Sequence, residues 1–358
     1  YVVDAGCVEI HGTGVIFNLL ERGHGFGEMA MFVEQSHHVT AIAKEDTTLT
    51  CIAVDALAEF MQRVPELRDE LYEHMRHNLR LNLLVSALSQ TVGELEEETF
   101  RELANTFAWK TYQPGEIIFS QGDVGDEMFI LLTGRVRVLS EVNATQQVLG
   151  ELGRGTMFGE LALLNNARRS ATVTAIRETT VVCITHQMFD QLLEQYTLFA
   201  RRMLAVIAKR KQYNPLEHVH QQAIPMTFAL IQSQDNVDMA AIVDSLYPYV
   251  AQHGTAIILD EQRFDERYGV TTILEEILSI VKQRWISDLE DAHDYIFFVV
   301  NDPCSPWASW VASNADRVVI LDEARNAPQP RALKECIRTE AVYQQYELLL
   351  LHEADVEQ

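Results

Sequence analysis

A chain of 358 residues with 47% hydrophobic and 22% charged side chains is globular in composition, long enough for two or three domains, and neither disordered nor fibrous. Its formal net charge of −24, from 28 Lys and Arg against 52 Asp and Glu, repels nucleic acid and anionic headgroups, which argues against a DNA-reading role. Cys7, Cys51, Cys183, Cys304 and Cys336 are far apart with no C-x-x-C pair, which predicts reduced core thiols, a cytosolic setting and no metal centre, while no apolar run approaches membrane-span length.

The chain starts without Met, and Tyr1-Val2-Val3 already reads as the inside of a strand, so a fragment is expected, with any anchoring or targeting segment upstream. Internal similarity fixes the organisation of the N-terminal part. Tyr1 to Ile10 matches Phe129 to Val138, each an apolar alternation interrupted by a turn glycine, Gly6 or Gly134. Phe26-Gly27-Glu28-Met29-Ala30-Met31 repeats Phe158 to Leu163, and Val39 to Ile42 repeats Val173 to Ile176. Residues 1–65 therefore read as most of a barrel that lacks its first strands. On this alignment the loop after Glu28 is two residues shorter than its later copy.

Apolar positions at Leu67, Leu71, Met75, Leu79, Leu83 and Leu84 predict a helix over 66–92, inside a helical connector of 66–100. His74 and His77 on it lack acidic or cysteine partners and read as a solvated face. Glu94 to Glu98 is expected to open a further helix through Leu103 and Phe107. A second barrel domain is expected over 101–212, its strands running from about Trp109 to Ile184. Pro114-Gly115 marks a turn, Glu116 to Phe119 a strand and Met128 to Leu139 a hairpin about Gly134, with Thr179 to Ile184 closing the barrel. Met188 to Arg210 reads as a long helix.

Within that barrel, Gly155 to Ala175 reads as a small-anion cradle. Gly159 permits close backbone approach, and Glu160 to Leu164 are helix formers whose first amides suit a phosphate. Arg169 offers a planar fork and Ser170 a hydroxyl. Glu160 beside a phosphate needs a donor from the ligand, for which a ribose hydroxyl is the obvious group. The competing reading is a buried turn in which Arg169 and Glu160 merely pair with each other.

The run F-G-E-L-A-L, a short loop, then R-S-A-T-V resembles the phosphate-binding cassette of cyclic nucleotide-binding domains. The resemblance implies cAMP or cGMP as a regulatory ligand and no other cofactor. It also implies that Gly159, Glu160, Leu161 and Ala162 line the ribose phosphate, that Glu160 holds the 2′-hydroxyl, and that Arg169 and Ser170 hold the cyclic phosphate. Arg168 reads as a solvated neighbour. In that family the C-terminal helix moves over the base; Tyr196 and Phe199 read equally as base caps or core. In the first copy the position matching Arg169 falls on Gln35, and Val33 to His38 contains no arginine, so that barrel is expected to be structural and degenerate. His37 and His38 read as solvated.

Asn214-Pro215 and Ile224-Pro225 mark a linker, after which there is no helix-turn-helix pattern. Five short apolar runs, at Phe228 to Ile231, Ala256 to Leu259, Tyr295 to Val300, Val318 to Leu321 and Leu348 to Leu351, alternate with helical stretches around 238–252, 272–291, 306–314 and 330–345. That alternation predicts an α/β, Rossmann-like domain over 223–358 with a buried, mostly parallel sheet covered on both faces. Ser233, Asp260, Asn301-Asp302 and Asp322-Glu323 fall at strand ends, where ligands of such sheets bind. No glycine-rich phosphate loop comes after the first strand, which favours a docking or scaffold domain over an NTPase.

The fold class expected is multidomain: two cyclic nucleotide-binding β-barrels of jelly-roll type with flanking helices, then the α/β domain. That order, with Asp302-Pro303, Pro306-Trp307, Ala315 to Ile320 and Leu348 to His352, resembles the regulatory region of neuropathy target esterase-like, patatin-type phospholipases. The resemblance implies a (lyso)phospholipase of lipid metabolism, a hydrolase using a G-x-S-x-G serine and an Asp-Gly aspartate. Neither motif occurs here, so the catalytic domain is expected beyond Gln358. The partners implied are a cyclic nucleotide and the C-terminal esterase domain of the same parent, without nucleic acid. Membrane contact would come only through segments outside this chain, on the cytoplasmic side. The alternatives are a non-enzymatic tandem sensor and a degenerate scaffold that binds no nucleotide.

Overall fold

The computed structural model describes residues 1–11, 16–27, 40–92, 106–142, 145–195, 197, 201–205, 208, 225–233, 237–268, 275–324 and 345–351. The chain divides into two compact units: Tyr1–Ser89, Gly93–Thr106 and Gln262–Lys282 in one, Gln90–Val92, Phe107–Glu261 and Gln283–Gln358 in the other.

In the first unit, β1 (Val2–Ala5) pairs antiparallel with β5 (Thr48–Thr50), while β2 (Val8–His11) lies between β3 (Ile16–Leu20) and β4 (Thr40–Ala43). Val3, Val8, Ile10 and Leu20 form its small core, with Phe26 packed against them. Helix α1 (Val54–Arg63) leads to α2 (Pro65–Val92), which opens on a proline whose missing N–H would have been unpaired at a first helical turn anyway. Met75, Leu79, Leu83 and Leu84 of the expected apolar face of α2 are buried and Leu71 is half-buried, while Tyr72, Leu81, Val85, Ala87 and Leu88 are buried besides.

The second unit begins with two antiparallel sheets. One orders β10 (Thr145–Leu152), β9 (Val136–Val142), β12 (Thr172–Ala175) and β7 (Ile117–Phe119); the other orders β11 (Met157–Phe158), β8 (Glu127–Thr133), β13 (Thr179–Thr185) and β6 (Ala108–Tyr112). Phe129, Leu131, Val136, Phe158, Val173, Val181 and Cys183, drawn from both sheets, fill the space between them. Helix α3 (Glu160–Asn165) follows β11, and α4 (His186–Gln195) follows β13. The expected helix Met188 to Arg210 is helical at 186–195 and again at 201–205, whereas Tyr196 and Phe199 lie outside the described residues, as do Glu94 to Leu103 and the Asn214-Pro215 linker.

The expected hairpin about Gly134 is not one. β8 and β9 belong to different sheets, so Gly134 turns the chain across the barrel rather than back on itself. Its φ is +88°, and a Cβ there would lie 2.4 Å from the Glu178 carbonyl and 2.5 Å from Thr179 Oγ1. Gly6 makes the same corner, at φ +87° and 2.5 Å from Thr47 Oγ1.

This match corrects the alignment of the two copies. Val8 pairs with Ala43 as Val136 pairs with Ala175, so Thr40–Ala43 corresponds to Thr172–Ala175, two residues away from the correspondence that the shared Val-Thr-Ala-Ile suggests. Residues 28–39 and 160–171 then separate equivalent neighbours, and the two loops are equal in length. The position matching Arg169 is therefore His37, not Gln35. Both lie outside the described residues, and the loop still contains no arginine.

The α/β part has five strands ordered β15 (Ala256–Leu259), β16 (Tyr295–Val300), β14 (Met226–Gln232), β17 (Arg317–Glu323), β18 (Gln345–Leu351), with every described pairing parallel. Helices α5 (Met239–Val250), α6 (Glu261–Tyr268), α7 (Glu275–Ala292) and α8 (Pro306–Asn314) intervene, α6 having no counterpart among the expected elements. Ala229, Ile231, Phe298 and Val300 of the central strands are fully buried, whereas Leu348, Leu349 and Leu350 are 40–50% exposed, because β18 is the edge of the sheet. The cysteines also depart from expectation. Cys183 is buried, but Cys51 and Cys304 are exposed, and Cys336 lies outside the described residues.

Candidate functional site

The cradle is built by one strand, one turn and one return strand. β11 pairs with β8 at Phe158 and Phe129, and the chain then leaves the sheet through Gly159 at φ +77°, where a side chain is strained. Helix α3 ends on Asn166 in the left-handed region at φ +51°, a conformation asparagine tolerates. Arg168 is exposed and donates through Nη1 to the Gly122 carbonyl at 2.7 Å.

Arg169 is fixed at its backbone by the preceding loop. Its N–H donates to Asp123 O and its carbonyl accepts from Gly122 N, both at 2.9 Å, while Gln121 N donates to Thr172 Oγ1 at 2.9 Å. The side chain turns inward and is 95% buried. Nη1 donates to the Gly159 carbonyl at 2.8 Å, and the guanidinium lies 4.2 Å from the Phe119 ring centre and 5.6 Å from that of Phe129. Nε is buried and has no acceptor among the described residues.

No carboxylate among the described residues lies within ion-pair distance of Arg169. Burial pulls its pKa below the ordinary value, against the smaller opposing fields of Asp126, Glu127, Asp123 and Glu160. A buried cation held by aromatic faces and one carbonyl, with a donor left over, is an incomplete electrostatic arrangement. An anion would supply the missing acceptor.

The structure brings Glu160, Ala162 and Arg169 together as buried groups with Gly159 half-buried beside them, and sets Leu161 and Ser170 at the exposed rim. The pairing of Arg169 with Glu160, the competing reading, is not formed. Motif reading missed Phe119, Phe129 and Gly125. A Cβ on Gly125 would sit 2.2 Å from Ala162 Cβ and 3.2 Å from Arg169 Nε, so the guanidinium occupies space that only glycine leaves open. Its signal was the glycine spacing in Gly122-Asp123-Val124-Gly125 just ahead of an apolar strand.

A model of the cyclic nucleotide-binding domain matches residues 1–64 and 109–196, and one of the neuropathy target esterase family P-loop-like domain matches 226–358. The chain pairs cyclic nucleotide-binding domain sequence with a neuropathy target esterase family domain. Human patatin-like phospholipase domain-containing protein 6 is 22% identical over 97% of this chain and 26% of its own length. The mouse patatin-like phospholipase domain-containing protein 7 is 21% identical over 94% of this chain and 25% of its own. The chain thus spans about a quarter of the length of the neuropathy target esterase relatives. A cAMP-dependent protein kinase regulatory subunit of Mucor circinelloides is 30% identical over 54% of this chain and 43% of its own length. Among solved structures, the Thermus thermophilus catabolite activator protein is 30% identical over 35% of this chain and 58% of its own, with a TM-score of 0.32.

Proposed function

We propose that this chain is a cyclic nucleotide-sensing regulatory region of a patatin-like (lyso)phospholipase or serine esterase. The observation that carries the sensor reading is Arg169: nearly fully buried, stacked on Phe119, and, among the described residues, without a carboxylate partner and with Nε unsatisfied. A ring phosphate supplies the missing acceptor through charge-assisted bonds. Glu160, buried at the start of α3, takes the ribose 2′-hydroxyl as its donor, Gly159 and Ala162 line the ribose phosphate, and Leu161 and Ser170 close the rim. The ligand-competent domain spans 101–212.

The domain over 1–65 repeats the strand corners without the arginine and serves as packing. The α/β domain over 223–358, without a glycine-rich loop at 232–236, docks and relays rather than hydrolysing nucleotide. The esterase reading rests on the names of the relatives and on the shared order of domains. Its G-x-S-x-G serine is absent from this sequence.

Comparing cAMP with its 2′-deoxy analogue, and cGMP with its own, tests the cradle. Binding of the parent nucleotide at least ~10-fold tighter than the analogue, with the difference lost in Glu160→Ala, supports the reading. Equal binding of both by the unaltered chain removes Glu160 from the site.

A further inference from the structure

The end of the barrel away from the cassette carries two buried arginines that no nucleotide role accounts for. Arg177 and Arg135 are each 2% exposed. Arg135 Nη1 lies 2.8 Å from Asp316 Oδ2 and its Nη2 donates to the Pro225 carbonyl. Arg177 Nη2 pairs with Glu290, Nη1 donates to Thr227 Oγ1 and the Asn314 carbonyl at 3.2 Å, and Nε lies 3.7 Å from Asp316 Oδ1. Asp316 is positioned by Thr227 N at 2.9 Å. Around this centre, Thr133 and Thr180 donate to Gln283 Oε1 at 3.2 and 3.1 Å, Arg154 pairs with Asp291 at 3.0 Å, and Glu178 N donates to Ser313 O at 2.9 Å. In each of these ion pairs, Arg135–Asp316, Arg177–Glu290, Arg177–Asp316 and Arg154–Asp291, the cation comes from the barrel and the carboxylate from the α/β domain.

The first copy shows that this surface is particular to the second barrel. Thr179 Oγ1 accepts from Arg135 N at 3.2 Å and lies 2.7 Å from the Arg177 carbonyl; Thr47 Oγ1 accepts from Cys7 N at 3.3 Å and lies 2.8 Å from the Glu45 carbonyl. The two arginine positions of the second barrel are thus Cys7 and Glu45 in the first. A thiol and a carboxylate there offer an acidic partner no cation.

Two strands join this surface to the cassette. β8 carries Phe129, beside Arg169, and ends at Thr133, two residues before Arg135. β12 starts three residues after Arg169 and ends two before Arg177. We propose that the Arg135/Arg177 surface is a docking site for an acidic partner, the α/β domain through Asp316 and Glu290, and that it couples this domain to the cassette. The docking is independent of any ligand; the coupling of nucleotide to the α/β domain rests on the sensor reading.

Hydrogen exchange of the whole chain, unaltered and as Asp316→Asn, with and without cAMP or cGMP, tests it. In the unaltered chain, nucleotide is expected to slow exchange at the cassette and at Met226–Gln232 and Pro306–Asn314; in Asp316→Asn it slows the cassette alone. Without nucleotide, Asp316→Asn is expected to exchange at least ~10-fold faster at Pro306–Asn314 and at 133–137. A chain with all four charges replaced, Arg135→Met, Arg177→Met, Asp316→Leu and Glu290→Leu, keeps the test valid if the single variant misfolds. It is expected to stay docked through apolar contact, with exchange at Pro306–Asn314 within ~3-fold of the unaltered chain. Nucleotide protection confined to the cassette of the unaltered chain overturns the coupling and leaves the sensor reading standing. Absence of protection anywhere overturns the sensor reading and the coupling with it. Unchanged exchange in nucleotide-free Asp316→Asn overturns the docking role.

Discussion

The guanidinium carbon of Arg169 sits 4.2 Å from the centre of the Phe119 ring, and that ring is stacked in turn on Phe129 at 5.7 Å. The aromatic faces fix the plane of the fork, which on the sensor reading lowers the ordering cost of binding a phosphate. They also replace part of the solvation that the buried cation has lost.

Replacing Phe119 by Leu keeps most of the apolar volume and removes the π-face. Nucleotide affinity is expected to fall about fivefold, in line with ~1 kcal/mol for such a contact, at a stability cost below ~1.5 kcal/mol. Calorimetric titration alongside thermal unfolding separates the two effects.

Gly159→Ala and Gly125→Ala are expected to fail differently. At Gly159 the new methyl would meet Arg169 Nη1 at 2.7 Å on a backbone with φ +77°, displacing the fork and adding ~1–2 kcal/mol of strain. At Gly125 it would meet Ala162 Cβ at 2.2 Å, which cannot swing aside, and overpacking of ~1–3 kcal/mol falls on folding as well as on binding. Unfolding temperatures with binding isotherms for both variants check this; loss of stability at Gly125 without loss of binding would contradict it.

Cys183 predicts an alkaline signature. Burial pushes its thiol up from 9.0 to about 11, with the nearby Lys110 working in the opposite direction. A folded-state pKa above the unfolded one favours the folded chain below pH 9 and withdraws that stability as pH climbs through about 11. About 2–3 kcal/mol is expected to be lost across that window, and less in Cys183→Ala. Alkylation at pH 8 is expected to label Cys51 and Cys304 and spare Cys183; labelling of Cys183 in the folded chain would contradict its burial.

The turn at Gly159, the short helix after it and the inward Arg169 were legible because they are local: a glycine, a helix of good formers and an arginine within a dozen positions specify their own geometry. The corner at Gly134 was not, because apolar alternation marks two strands but not the sheet each joins. β10 escaped notice because Thr145, Gln146, Gln147 and Val148 are all exposed and a bulge at Gly150 breaks the period. The shared Val-Thr-Ala-Ile misled the alignment of the copies, since the register is fixed by pairing with β2 and β9 rather than by identity. Arg135 and Arg177 carried a weak signal, a charge at the end of an apolar strand, but their partners Asp316 and Glu290 are distant in sequence. Only the folded chain brings them together.

The most direct test of the sensor account is calorimetric titration of the unaltered chain and of Arg169→Ala with cAMP and cGMP, with circular dichroism confirming that the variant folds. The account predicts one binding event in the unaltered chain, weakened about 100-fold in the variant, as loss of a buried charge partner on the order of 3 kcal/mol entails. Equal affinity of the two proteins for the nucleotide, or no heat from either, would contradict it.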